Sequence, residues 1–153
     1  MKIHKSIKGI LDLSNFTYLQ ELDCSNNKIT SIINIPKSLV ELKCCYNKIT
    51  SLDNLPSNLK ILICNENELI SLDNLPAKIK KLNCKNNFIT KLDNLPQELY
   101  ELDCEHNSIT NLDNLPISLE KLNCKKNRLT SLDYLPSNLK ILDCSNNKIS
   151  NLD

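Results

Sequence analysis

From Leu19 to its last residue the chain repeats one 20-residue pattern without insertion or deletion, six times in full and a seventh time in part. In the third copy the pattern reads Leu59-x-x-Leu62-x-Cys64-x-x-Asn67-x-Leu69-x-x-Leu72-x-x-Leu75-Pro76. So short a unit cannot close a core of its own, so each copy must bury its apolar face against the next. The chain is therefore expected to be a solenoid. Residues 1–18 read as a degenerate N-terminal capping repeat and residues 19–153 as the repeat array. A frame shifted by one residue sets Ile3, Ile10, Leu13 and Phe16 on the buried positions later held by Leu22, Ile29, Ile32 and Ile35.

Within each copy the segment x-Leu-x-Cys alternates in and out, which predicts a short strand, and stacked copies predict a parallel β-sheet on one face. The return path carries Pro36, Pro56, Pro76, Pro96, Pro116 and Pro136, each preceded by Leu or Ile. Proline lacks a backbone donor and holds its predecessor extended. The convex side is thus expected to be extended or polyproline-like, with little or no α-helix.

Two further rows recur once per copy. Asn27, Asn47, Asn67, Asn87, Asn107, Asn127 and Asn147 fall where the chain leaves the strand and turns inward. An amide side chain both donates and accepts, so the row is expected to satisfy turn backbone in its own and neighbouring repeats as a structural ladder. Seven of the eight cysteines are likewise one position repeated, Cys24 to Cys144 in steps of 20. A stacked row at about 4.8 Å spacing points its thiols in one direction, whereas a disulfide needs facing Cβ atoms and zinc needs converging ligands. Free buried thiols are expected, with no metal and no cofactor, in a reducing compartment.

The motif resembles the leucine-rich repeat, and its length and Leu-Pro ending look like the short bacterial class found in effectors of pathogens. The cysteine row and the abundance of Lys, Asn and Ile also resemble leucine-rich repeat proteins of giant DNA viruses of amoebae. Such effectors often carry a helical hairpin before the repeats and sometimes a ubiquitin-ligase domain after them. Neither stands in this sequence, and no ligase activity is expected.

The resemblance implies a partner held on the concave face, whose outward positions follow by arithmetic. Glu41, Lys43, Cys45 and Tyr46 come from the second copy, and Ile61 and Ile63 from the third, where two isoleucines point out of an otherwise polar face. Lys81, Glu101, Asp103 and Lys121 continue the surface with charges that alternate from strand to strand. A protein or peptide partner is expected there. The alternative is a structural element that pairs end to end with a second copy.

Chemistry is poorly provided for. One glycine, Gly9, excludes phosphate-cradling loops and nucleophile elbows, and of the two histidines His106 reads as a solvated neighbour of Asn86 and Lys126. The chain is read as non-enzymatic. A net charge of +1 offers no field for nucleic acid or an anionic membrane. Without a secretory core or a long apolar run, an intracellular, cytoplasmic protein is expected, the host's cytoplasm included.

Overall fold

The computed structural model describes residues 1–4, 6–133 and 135–150. The first strand is β1 (Lys8–Asp12), followed by β2 (Glu21–Asp23) and β3 (Lys28–Ile33). From there one three-residue strand falls in each copy: β4 (Glu41–Lys43), β5 (Ile61–Ile63), β6 (Lys81–Asn83), β7 (Glu101–Asp103), β8 (Lys121–Asn123) and β9 (Ile141–Asp143). β2 and β4 to β9 form one seven-stranded parallel sheet in chain order. Neighbouring strands are in register by one whole repeat, so Leu22, Leu42, Leu62 and their successors face one another across the sheet. No helix occurs among the described residues.

The core is a column of repeated side chains. Leu42, Cys44, Ile49 and Leu59 are fully buried, and the same positions stay buried in successive copies as far as Leu122, Cys124, Leu129 and Leu119. Each return path bends once more than proline alone predicts. The amide of Leu59 donates to Pro56 O at 3.0 Å, and Leu39, Leu99, Leu119 and Leu139 close the same turn on Pro36, Pro96, Pro116 and Pro136. That turn drives a leucine back into the core, while the buried proline carbonyl receives a donor inside its own repeat.

The asparagine side chains bridge repeats. Asn87 Oδ1 accepts the Leu69 amide of the preceding repeat at 2.9 Å, and its Nδ2 donates to Cys84 O and Cys64 O at 3.0 and 3.1 Å. Asn47, Asn67, Asn107, Asn127 and Asn147 make the corresponding set. Asn27 reaches Ile7 N on one side and Cys24 O on the other.

The beginning of the chain departs from the expected frame. Ile10 is 64% exposed and Phe16 39% exposed, while Leu11 and Leu13 are buried. Ile7 holds the place expected of Ile10, because its amide donates to Asn27 Oδ1 as that of Ile29 does to Asn47. Ile3 donates to Asp23 O as Cys24 donates to Lys43 O, and so precedes Cys24 in the stack instead of Leu22. The register between β1 and β3 then slips at Gly9/Ile10, where Gly9 takes φ +85°. The extra residue is Thr30 on β3, since Gly9 faces Ile29 and Ile10 faces Ser31, while β1 alternates without interruption, Gly9 inward, Ile10 outward and Leu11 inward. β1 and β3 make a separate two-stranded parallel sheet, which the repeat pattern does not announce.

Candidate functional site

The outward positions of the seven-stranded sheet form a polar surface with one apolar interruption. Lys81 Nζ lies 2.7 Å from Glu101 Oε1, Lys121 Nζ lies 3.7 Å from Glu101 Oε2, and Lys85 Nζ lies 2.9 Å from Glu105 Oε2. Lys43 pairs with Glu41 on its own strand. All are open to water, so each contributes about 0–1 kcal/mol. Asp103 differs: burial pushes its carboxyl up, against the Glu105 amide and the charge of Lys85, which act to lower it. Glu105 is held below the usual range, first by its hydrogen bond from Lys85.

Ile61 packs between Glu41 and Lys81 on adjacent strands, and Ile63 between Lys43 and Asn83. Both are half-buried. Cys45 is half-buried with its Sγ 3.0 Å from Ser25 Oγ, and Tyr46 is 53% exposed at the margin.

The row of Ile63 also has a backbone role. Asp23, Asn83, Asp103, Asn123 and Asp143 each accept, through Oδ1, the amide two residues on, at 3.0–3.2 Å. These are Asx turns that cap the strand exit. Asp103, an expected contact residue, therefore has one oxygen already committed. The signal was visible as Asn or Asp at five of seven copies. Lys43 and Ile63, side by side, are the two positions that cannot make this bond.

Past the strand ends each of the first five repeats passes through the left-handed region twice. At the second passage Asn34, Asn54, Asn74, Asn94 and Asn114 take φ of 54–58°, as suits the residue that tolerates this region best after glycine. At the first passage the residues are Asn26, Tyr46, Glu66, Asn86, His106, Lys126 and Asn146, at φ 50–58°. Four of these carry side chains that find this backbone costly. Tyr46→Asn is expected to stabilise by roughly 0.5–1 kcal/mol and Asn54→Tyr to destabilise by about 1–2 kcal/mol, read as opposite shifts of the urea midpoint.

Beneath the sheet, Cys24, Cys44, Cys64, Cys84, Cys104 and Cys124 are fully buried and free. Cys24 and Cys64 lie 3.5 and 3.4 Å from the carbonyls of Lys43 and Asn83. Burial pushes the thiols of Cys24 and Cys124 up to about 12, and those of the four between them well above their ordinary value. Cys45 and Cys144 are partly open. A disulfide reagent at pH 8 is expected to label those two within minutes and the remaining six only after denaturant is added. Rapid labelling of all eight would mean that the column is open to solvent.

Stacked x-Leu-x-Cys strands, an asparagine ladder and a return path without helix define a leucine-rich repeat solenoid of the short, 20-residue class carried by bacterial effectors. YopM from Yersinia enterocolitica superposes with a TM-score of 0.93 and 36% identity over 97% of this chain and 33% of its own. YopM from Yersinia pestis, described as a leucine-rich effector protein, gives 0.88 and 31% over 96% of this chain and 44% of its own. The functional domain of InlJ from Listeria monocytogenes, which includes a cysteine ladder, gives 0.84 and 40% over 95% of this chain and 34% of its own. The chain thus spans a third to under half the length of these neighbours. No protein-family model and no curated protein matches it by sequence. Folds of this class are in general protein-interaction scaffolds. No helix is long and apolar enough to cross a membrane among the described residues.

Proposed function

We propose that this chain is a non-enzymatic interaction module that binds a protein or peptide on its concave sheet, anchored at β4 and β5. The observation that carries this reading is the break in the Asx row. On five strands the central outward side chain holds its own turn, whereas Lys43 and Ile63 are free of that duty. They lie with Ile61, Cys45 and Tyr46 as an apolar cluster between Glu41 and Lys81. Half-buried apolar groups on a polar face, with an exposed aromatic at the margin, suit a hot spot. Glu101, Asp103 and Lys121 would then set orientation through charge. Effector-like neighbours make the cytoplasm of a host cell the setting that fits this reading.

The test is affinity capture from a cytosolic lysate with the native chain beside Ile61→Asp/Ile63→Asp/Glu101→Lys, both shown to be folded by circular dichroism. A protein kept by the native chain and lost by the variant supports the site; equal retention by both removes it. End-to-end pairing with a second copy is the second reading. It requires a mass that rises with concentration in sedimentation, unaffected by the concave substitutions.

A further inference from the structure

Glu66, Asn86 and His106 stand at one position of successive repeats, just past the strand ends, and are joined side chain to side chain. Asn86 Nδ2 donates to Glu66 Oε1, and Asn86 Oδ1 is the partner of His106 Nδ1. An amide whose NH2 is turned to a carboxylate must turn its oxygen to the imidazole, and an oxygen partner needs the proton on Nδ1. Neutral His106 then presents Nε2 as a bare acceptor. Glu66 keeps its second oxygen. These groups line an open pocket of about 490 Å³ together with Phe88, which is 61% exposed, and Ser108. None of the described lining residues is Lys or Arg.

Two acceptors, one of them charged, beside an aromatic face call for a flat cation that only donates. A guanidinium has that character: five in-plane donors, no acceptor, weak hydration and affinity for aromatic faces. We propose that this pocket takes the guanidinium of an arginine on a partner protein, stacked on Phe88 and hydrogen-bonded to Glu66 and to Nε2 of His106. The left-handed turn common to this row, φ 56° at Glu66 and His106 and 50° at Asn86, sets the three side chains side by side at the rim of the pocket. The pocket borders the concave cluster at Tyr46, which precedes Glu66 in its row, but none of its lining residues belongs to that cluster, so the inference does not depend on the concave reading.

The neighbouring charges are of both signs, with the carboxylates nearest Glu66 and the cations, Lys48, Lys126 and Arg128, in the repeats to either side. Glu68 occupies the position of Phe88 one repeat earlier and is exposed, adding a second carboxylate. Lys126 follows His106 in its row and Arg128 follows Ser108, both exposed at the far side. Lys85, which lies in the field of Glu66, is held by Glu105 at 2.9 Å. Protonation of His106 at Nε2 would replace an acceptor by a charged donor beside the incoming cation.

The test is titration of the full chain with N-acetyl-arginine N-methylamide, followed by amide and imidazole NMR shifts at constant ionic strength. The lysine and citrulline analogues are run in parallel. Shifts are expected at residues 66, 86, 88 and 106, with affinity in the millimolar range and about fivefold weaker for Glu66→Gln, for Phe88→Ala and for either analogue. The variants' own amide spectra show that they are folded. Equal binding of the citrulline or lysine analogue, shifts scattered over the acidic surface, survival of binding in Glu66→Gln, or no shift at all would each overturn the assignment.

Discussion

Above pH 9 the solenoid is expected to lose stability steeply, and the cysteine column is the cause. Unfolded thiols ionise near 9.0, while in the folded chain burial raises Cys24 and Cys124 to about 12 and pushes up the four between them. A raised acid pKa means that the folded state holds protons that the unfolded state gives up. The stabilisation is complete below pH 9 and is lost progressively as pH climbs from there toward the folded values. Each thiol contributes roughly 1.4 kcal/mol of loss per pH unit in that window. Six acting together remove about 8 kcal/mol by pH 10, comparable with the whole stability of a domain. The check is the urea midpoint measured from pH 7 to 10.5, for the native chain and for Cys64→Ala/Cys84→Ala. The variant starts lower because of its cavities, yet its alkaline slope should be about one third shallower. An unchanged slope would assign the alkaline loss to other groups, such as the lysines.

Asn87→Ala is expected to cost about 3 kcal/mol. It leaves the Leu69 amide without its 2.9 Å acceptor and withdraws donors from Cys64 O and Cys84 O, all inside the column. A buried polar group left unpaired costs about 1–3 kcal/mol. Because these bonds join adjacent repeats, the loss falls on a nearest-neighbour interface in the middle of the array. Unfolding should therefore broaden or divide into two steps as well as shift. Exposed Lys91→Ala, in the same repeat, should stay within about 0.5 kcal/mol of the native chain. Equal midpoints for the two variants would remove the asparagines from the account of stability.

The same column explains why the two surface readings differ in how far they can be read from residue order. Outward strand positions follow from alternation, so Ile61, Ile63 and the charged rows could be located by counting. Whether Asp103 was free to meet a partner could not, because its bond to the Glu105 amide depends on the turn that follows the strand. His106 reads from sequence as a solvated side chain, and it is exposed. Its link through Asn86 to Glu66 joins residues 40 positions apart and arises only when three repeats are stacked.

What the sequence by itself determined is the architecture. A 20-residue period, alternation around Leu and Cys, and proline on the return path leave a parallel-strand solenoid without helix, because each short unit can bury its apolar face only on its neighbour. Tertiary structure decided whatever depends on local parity and backbone conformation. The pairing of β1 with β3 puts Gly9, and not Ile10, opposite Ile29, so that plain alternation leaves Ile10 out and Leu11 in, while the added residue, Thr30, bulges on β3. The left-handed row of Tyr46, Glu66, His106 and Lys126 is equally invisible in residue order. Its backbone is imposed by the turns that the asparagine ladder holds in place, and the intrinsic preferences of the four residues oppose it.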